Sequence, residues 1–180
     1  MPEATFPEQF PRLETARLIL RALTLDDQEA VFSNFSDKDV VQHLMDPFTS
    51  VEQAASIIEE FLQLFEQKKG LFWAVTLRQD GSFIGTCSYE KVELGSLGEV
   101  GFDLARACWG QGLMSEALQA VMCYGFEHLG LREIEAFTSV HNARAVNLLK
   151  RLGFQIAGER EESYRFFLLE EDFKIEKPGF

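Results

Sequence analysis

Gly110 and Gly112 stand one residue apart in "ACWGQGLMSEAL", residues 107–118, between a strand-like "GEVGFDLA" and an apolar helix-forming run. A glycine-bearing turn that feeds a helix leaves several backbone N–H groups unpaired and pointing one way, and the helix dipole adds positive potential there. Gln111, Gly112, Leu113, Met114 and Ser115 supply those groups, which together suit an anion such as phosphate. The same pattern also serves a tight, closely packed strand-to-helix turn, and local chemistry leaves both readings open. Two phosphate motifs are excluded. No G-x-x-x-x-G-K-[ST] loop occurs, and the dinucleotide fingerprint fails because Ser115 takes its third glycine and Glu133 and Glu135 open a strand instead of ending one.

Other reactive residue types give weaker signals. His43, His128 and His141 lack ligand spacing, so no metal is expected; His128 suits the negative end of a helix. Cys87, Cys108 and Cys123 form no C-x-x-C pair, which argues against a disulfide framework or zinc site and for a reducing compartment. Cys108 lies inside the glycine turn without a paired His and acid, and reads as a small packed residue and not a nucleophile.

The elements that must position these residues follow from periodicity. "RLILRAL" alternates as a first strand, and a short helix follows Asp26 and Asp27. Ser50 and Gln53 form a capping box ahead of Val51, Ala54, Ile58, Phe61, Leu62 and Phe65, with Gly70 as the expected stop. "LFWAVTLR" and "SFIGTCSYEKV" pair across Gln79-Asp80-Gly81, and "GEVGFDLA" is the next strand. The helix from about Leu113 ends at Gly130, "EIEAFTSV" is a strand, Asn142 caps a helix ended by Gly153, and two strands close the chain. The class is α/β with a mixed central sheet flanked by helices, in one domain over residues 1–180.

Composition narrows the partners. A formal charge of −12 leaves no basic stripe for nucleic acid, and no apolar run is long enough to span a membrane. The start has prolines and acids where a signal peptide needs basic and apolar residues, so a cytoplasmic protein is expected, as monomer or homodimer.

"LARACWGQGLMSEAL" resembles the coenzyme A pyrophosphate loop of the GNAT acetyltransferases, and its W-G-x-G-x-x-x-E-A core is similar to the branch holding ribosomal-protein N-terminal and spermidine acetyltransferases. "ETARLILRAL", "GEVGFDL" and "NARAVNLLKRLGF" resemble three further pieces of that branch in the same order, over roughly residues 13–170. The resemblance implies that strands four and five splay apart around the pantetheine arm of acetyl-CoA. The backbone of Phe102, Asp103 and Leu104 would then hold the arm, and Gly110 to Ser115 the pyrophosphate. Asn142, and more weakly Asn147, would touch the pantetheine.

It also implies an N-acetyltransferase that moves an acetyl group to a primary amine by direct attack in a ternary complex. A protein N-terminus or a small polyamine-like or aminoglycoside-like amine would be the acceptor. Glu99 matches a carboxylate of this branch and would take the amine's proton, directly or through water, provided that its environment raises its pKa. The alternative is a solvent-facing strand carboxylate. The family's usual tyrosine acid is replaced by Leu149 and the branch's serine by Ala145, leaving Tyr89 and Tyr164 as unsupported substitutes. That gap keeps open a non-catalytic acyl-CoA-binding module. The acceptor pocket is expected along the first helices, residues 71–78 and the closing strands.

Overall fold

The computed structural model describes residues 4–174; the outermost residues of the expected 1–180 domain lie outside that range. Eight strands form one sheet: β1 (Leu13–Glu14), β2 (Leu18–Ala22), β3 (Leu71–Leu77), β4 (Phe83–Glu93), β5 (Leu97–Leu104), β6 (Glu133–Ser139), β7 (Gln155–Arg160) and β8 (Ser163–Leu169). Their order is β1-β2-β3-β4-β5-β6-β8-β7. All neighbours run antiparallel except β5 and β6, which are parallel and joined through a helix. The two-residue β1 was not expected, so the fourth and fifth strands of the sequence reading are β5 and β6.

Alternation along the strands sends two sets of side chains to opposite faces. Leu18, Leu20, Trp73, Val75, Cys87, Tyr89 and Val100 pack under α4 (Leu113–Glu127) and α5 (Ala143–Arg151). Phe72 and Ala74 pack under α1 (Gln28–Phe35), the short α2 (Lys38–Val41) and α3 (Val51–Glu66). Strand β3 is therefore buried along nearly its whole length and lies two strands from β5. Residues 71–76, within the stretch 71–78 expected to line the acceptor pocket, are buried core.

Local signals set most boundaries. The Ser50–Gln53 capping box starts α3, and Gly81 takes φ +75° in the β3–β4 connection. Gly70 does not end α3. Lys68 adopts the left-handed conformation there, at φ +58°, while a Cβ at Gly70 would stand 2.9 Å from the Tyr89 carbonyl oxygen. Gly70 is thus required by close backbone approach, a demand that only the three-dimensional neighbour imposes.

Two irregularities shape the centre of the sheet. Strands β5 and β6 pair only at Leu97–Glu99 against Glu133–Glu135, although both run on. Strand β4 keeps β5 company on one side, so beyond Glu99 the β6-facing N–H and C=O groups of β5 have no strand partner. The β4–β5 register also shifts between Tyr89 and Lys91, which makes Glu90 an extra, bulged residue beside the apex of this splay.

Candidate active site

The splay opens toward the carboxyl ends of the two parallel strands, the side where open α/β sheets place ligands. A cavity of about 530 Å³ lies there. Its floor is Phe102, Asp103 and Leu104 of β5, and one wall is Cys108 to Gly110 of the turn with Gly112 to Ser115 at the start of α4. The start of α5 forms a second wall, through Asn142, Ala145 and Asn147. Val40 of α2 and the following Gln42, His43 and Leu44 close the third.

The loop is built for backbone donors. Gly110 and Gly112 both hold left-handed φ, +72° and +75°, and a Cβ at Gly110 would meet nothing within 4 Å. Conformation, not space, therefore demands glycine here. Left-handed glycines flank Gln111, and among the described residues no N–H from Gly110 to Ser115 donates to another protein group. Trp109 fastens the loop to the strand, its indole N–H donating to the Leu104 carbonyl at 2.8 Å. The Arg144 guanidinium lies 3.8 Å above the same ring.

Asn142 serves two surfaces. Its Oδ1 accepts the Ala145 N–H at 3.2 Å, capping α5, while the residue also borders the cavity. The α5 N-terminus thereby joins that of α4 on the same space. Arg144 and Arg151 line it too, together with Asp39 and the buried Asp103. Neither arginine had a sequence signal beyond its charge. Gln111 does not line the cavity; its side-chain amide donates to the Ala107 carbonyl at 2.9 Å.

Carboxylates gather at the apex. Glu99 is half-buried in the last β5–β6 pair, opposite Glu135, and lies outside the cavity lining. Burial and the neighbouring Glu135 charge push its pKa up, against the pull of Lys91. Glu90 is exposed as a residue, but its carboxyl folds over Gly101, where a Cβ would collide with it, and this local desolvation, followed by the Glu99 charge, raises its pKa as well. Glu135 is held by Arg165, whose Nε donates to it at 2.7 Å while Nη2 donates to Glu133 at 2.9 Å.

Asp103 continues this line on the same strand face. It is buried, accepting from the Thr86 hydroxyl and the Asn34 amide of α1, and desolvation pushes its pKa up to about 7. The sequence pointed to Asp103 only as backbone, and gave no sign of Glu90 or Asn34.

The remaining candidates fall away from the chemistry. Tyr89 is fully buried and donates to the Val121 carbonyl at 3.0 Å, so it supplies no acid. Tyr164 packs edge-on against Phe166 and does not line the cavity. Leu149 is wholly buried core. His128 ends α4, stacked on Tyr124, and exposed His141 lies outside the lining. Cys108 borders the cavity, half-buried instead of buried, and partial burial raises its thiol pKa, which disfavours the nucleophilic thiolate.

Known proteins resemble this chain in sequence and in fold. The acetyltransferase (GNAT) domain family matches residues 17–155. The chain is 36% identical over 151 residues to YoaA of Bacillus subtilis (strain 168), an uncharacterized N-acetyltransferase, covering 83% of this chain and 85% of that one. It is 34% identical over 148 residues to the uncharacterized N-acetyltransferase p20 of Bacillus licheniformis, covering 81% and 83%. The fold matches RimL, a ribosomal L7/L12 α-N-protein acetyltransferase solved with coenzyme A, with a TM-score of 0.79, 19% identity, and 88% and 98% coverage. Family model, sequence relatives and fold converge, and the chain belongs to the GNAT family of acetyltransferases.

Proposed function

We propose that this acetyltransferase takes its acetyl group from acetyl-CoA and gives it to a primary amine by direct attack in a ternary complex. One observation carries the reading: the β5–β6 splay has a carboxylate at its apex and a turn of unpartnered N–H groups at its open end. The residues fit the donor along its length. The N–H groups from Gly110 to Ser115 would hold the pyrophosphate, with Arg144 and Arg151 adding positive charge. The freed backbone of Phe102 to Leu104 would hold the amides of the pantetheine arm, with Asn142 and Asn147 on the opposite wall. Bound there, acetyl-CoA supplies an activated thioester.

Glu99 takes the proton of the attacking amine, directly or through one water. Its raised pKa is the direction a base for an ammonium requires. A β5 N–H near Phe102 or Leu104 faces the charge that develops on the acetyl oxygen. The leaving thiolate takes its proton from water, since the family's tyrosine position is the buried Leu149. Acidic side chains at the apex favour a cationic acceptor over an anionic one. RimL, which acts on a protein α-amine, supports keeping protein N-termini beside small amines in this class.

An amine panel monitored by coenzyme A thiol release tests the proposal. The wild-type chain should turn over at least one amine. Glu99→Gln should lower kcat by about 10²-fold or more without changing KM for acetyl-CoA. Unchanged turnover in that variant removes Glu99 from the mechanism. Absence of any rise in Tm with acetyl-CoA removes the donor assignment.

A further inference from the structure

Two segments separated by ninety-nine residues meet behind the donor loop. The Glu116 carboxylate, in the first turn of α4, accepts the Thr15 hydroxyl at 2.6 Å, the Arg17 backbone N–H at 2.8 Å and the Arg17 Nε at 2.7 Å. The same guanidinium reaches further, its Nη1 donating to the Gln111 carbonyl at 2.9 Å. Thr15 and Leu18 close the turn that presents these groups, the Thr15 N–H bonding the Leu18 carbonyl at 3.0 Å and the Leu18 N–H the Thr15 hydroxyl at 3.0 Å. Leu18 and Leu20 are wholly buried, so the turn rests on a fixed strand.

We infer that Arg17 is a positioning residue for the donor loop, setting the direction of the Gly112 N–H through its grip on the Gln111 carbonyl. The inference rests on reading that loop as the pyrophosphate seat. A trans peptide holds its C=O and the following N–H on opposite sides of one plane, and the described residues contain no cis peptide. With the Gln111 oxygen fastened to Arg17, the Gly112 N–H faces the other way, and Gly112 borders the cavity. Gly112 at φ +75° has few local restraints of its own, so the loop needs an external one.

Arg17 has a second effect. Burial works against ionising Glu116, but the bonds from Thr15 and Arg17 prevail and hold its pKa below the usual range. A bare carboxylate in the first turn of α4 would repel a bound pyrophosphate; the paired guanidinium cancels that charge. Arg17 remains about half exposed, 49%, and such pairs add little to global stability, so orientation is what the pair supplies.

The test compares two acetyl donors, acetyl-CoA and S-acetyl-pantetheine, which lacks the pyrophosphate. Arg17→Gln should raise KM for acetyl-CoA by roughly 10-fold with kcat within about 2-fold. KM for S-acetyl-pantetheine and Tm should stay at wild-type values. Arg17→Lys keeps the charge without the fork geometry and should fall between. Equal losses on both donors, or no loss on either, would overturn the inference. If Arg17→Gln fails to fold, the milder Arg17→Lys carries the same comparison between the two donors. Failure of the donor reading itself would show already in the wild-type chain, as equal affinity for coenzyme A and pantetheine.

Discussion

At its open end the β5–β6 splay is finished by main chain: two left-handed glycines, the first turn of α4 and the capped start of α5. At its apex it is finished by side chains, with Glu99 and Glu135 facing across the last strand pair and Glu90 bulged over Gly101. The open end offers donors to an anion; the apex offers carboxylates to a cation. One brings helix N-termini and two arginines to the cavity; the other gathers carboxylates whose desolvation, and secondarily their mutual repulsion, raises the pKa of Glu90 and Glu99. A backbone site depends on conformation and tolerates many side chains. A side-chain site depends on which residues the strand register brings together.

The largest expected effect separates the two ends kinetically. Glu99→Gln should act on kcat alone, by about 10²-fold or more. Gly112→Val should act mainly on the donor. A β-branched residue at φ +75° costs about 1–3 kcal/mol, which the loop relieves by turning its N–H groups away. KM for acetyl-CoA should therefore rise about 10-fold at nearly unchanged kcat, measured by thiol release. A matching fall in kcat would show that the loop and the apex are not separable.

That division also explains what the sequence revealed. The glycine turn is contiguous, and its glycines report backbone conformation directly, so the shape of the turn was readable in one stretch. Asn142 was readable because a cap is a local pattern. The apex was not, beyond Glu99. Glu90 joins it through a bulge between Tyr89 and Lys91, and no residue type announces an inserted strand position. Asn34 reaches Asp103 from α1, sixty-nine residues away, and nothing in its helical neighbours marks it. Gly70 fails for the same reason: a helix stop is local, whereas a clash with the Tyr89 carbonyl is not.

A smaller effect probes the ground between the ends. Asp103 titrates at about 7 in the folded chain, well above an unfolded aspartate near ~3.9. The folded state therefore binds the proton more tightly, and this contribution to stability is full below the unfolded pKa. It is lost as pH rises to about 7, at up to ~1.4 kcal/mol per pH unit, and is gone above that. Asp103→Asn mimics the protonated form, and its amide can donate to Asn34 Oδ1, the buried atom without a partner among the described residues. Urea unfolding at pH 5.5 and pH 8 should show wild type losing ground to the variant at the higher pH. A constant difference between the two proteins would contradict this.

The finest test uses two charges of opposite sign on either side of Glu99. Glu135 pairs with it from β6 and raises its pKa; Lys91 pairs with it from β4 and lowers it. Burial, the larger cause, is common to both variants and leaves the comparison clean. A base works when deprotonated, so the acid limb of kcat/KM should follow the Glu99 pKa. Glu135→Gln removes a repelling charge while keeping an oxygen for Arg165, and should move that limb to lower pH. Lys91→Met removes an attracting charge and should move it to higher pH. The Lys91 shift should shrink in high salt more than the Glu135 shift, because Lys91 is exposed and Glu135 buried. Limbs that move in the same direction would mean that some group other than Glu99 accepts the proton, and the bulged Glu90, one strand away over Gly101, is then the residue to replace.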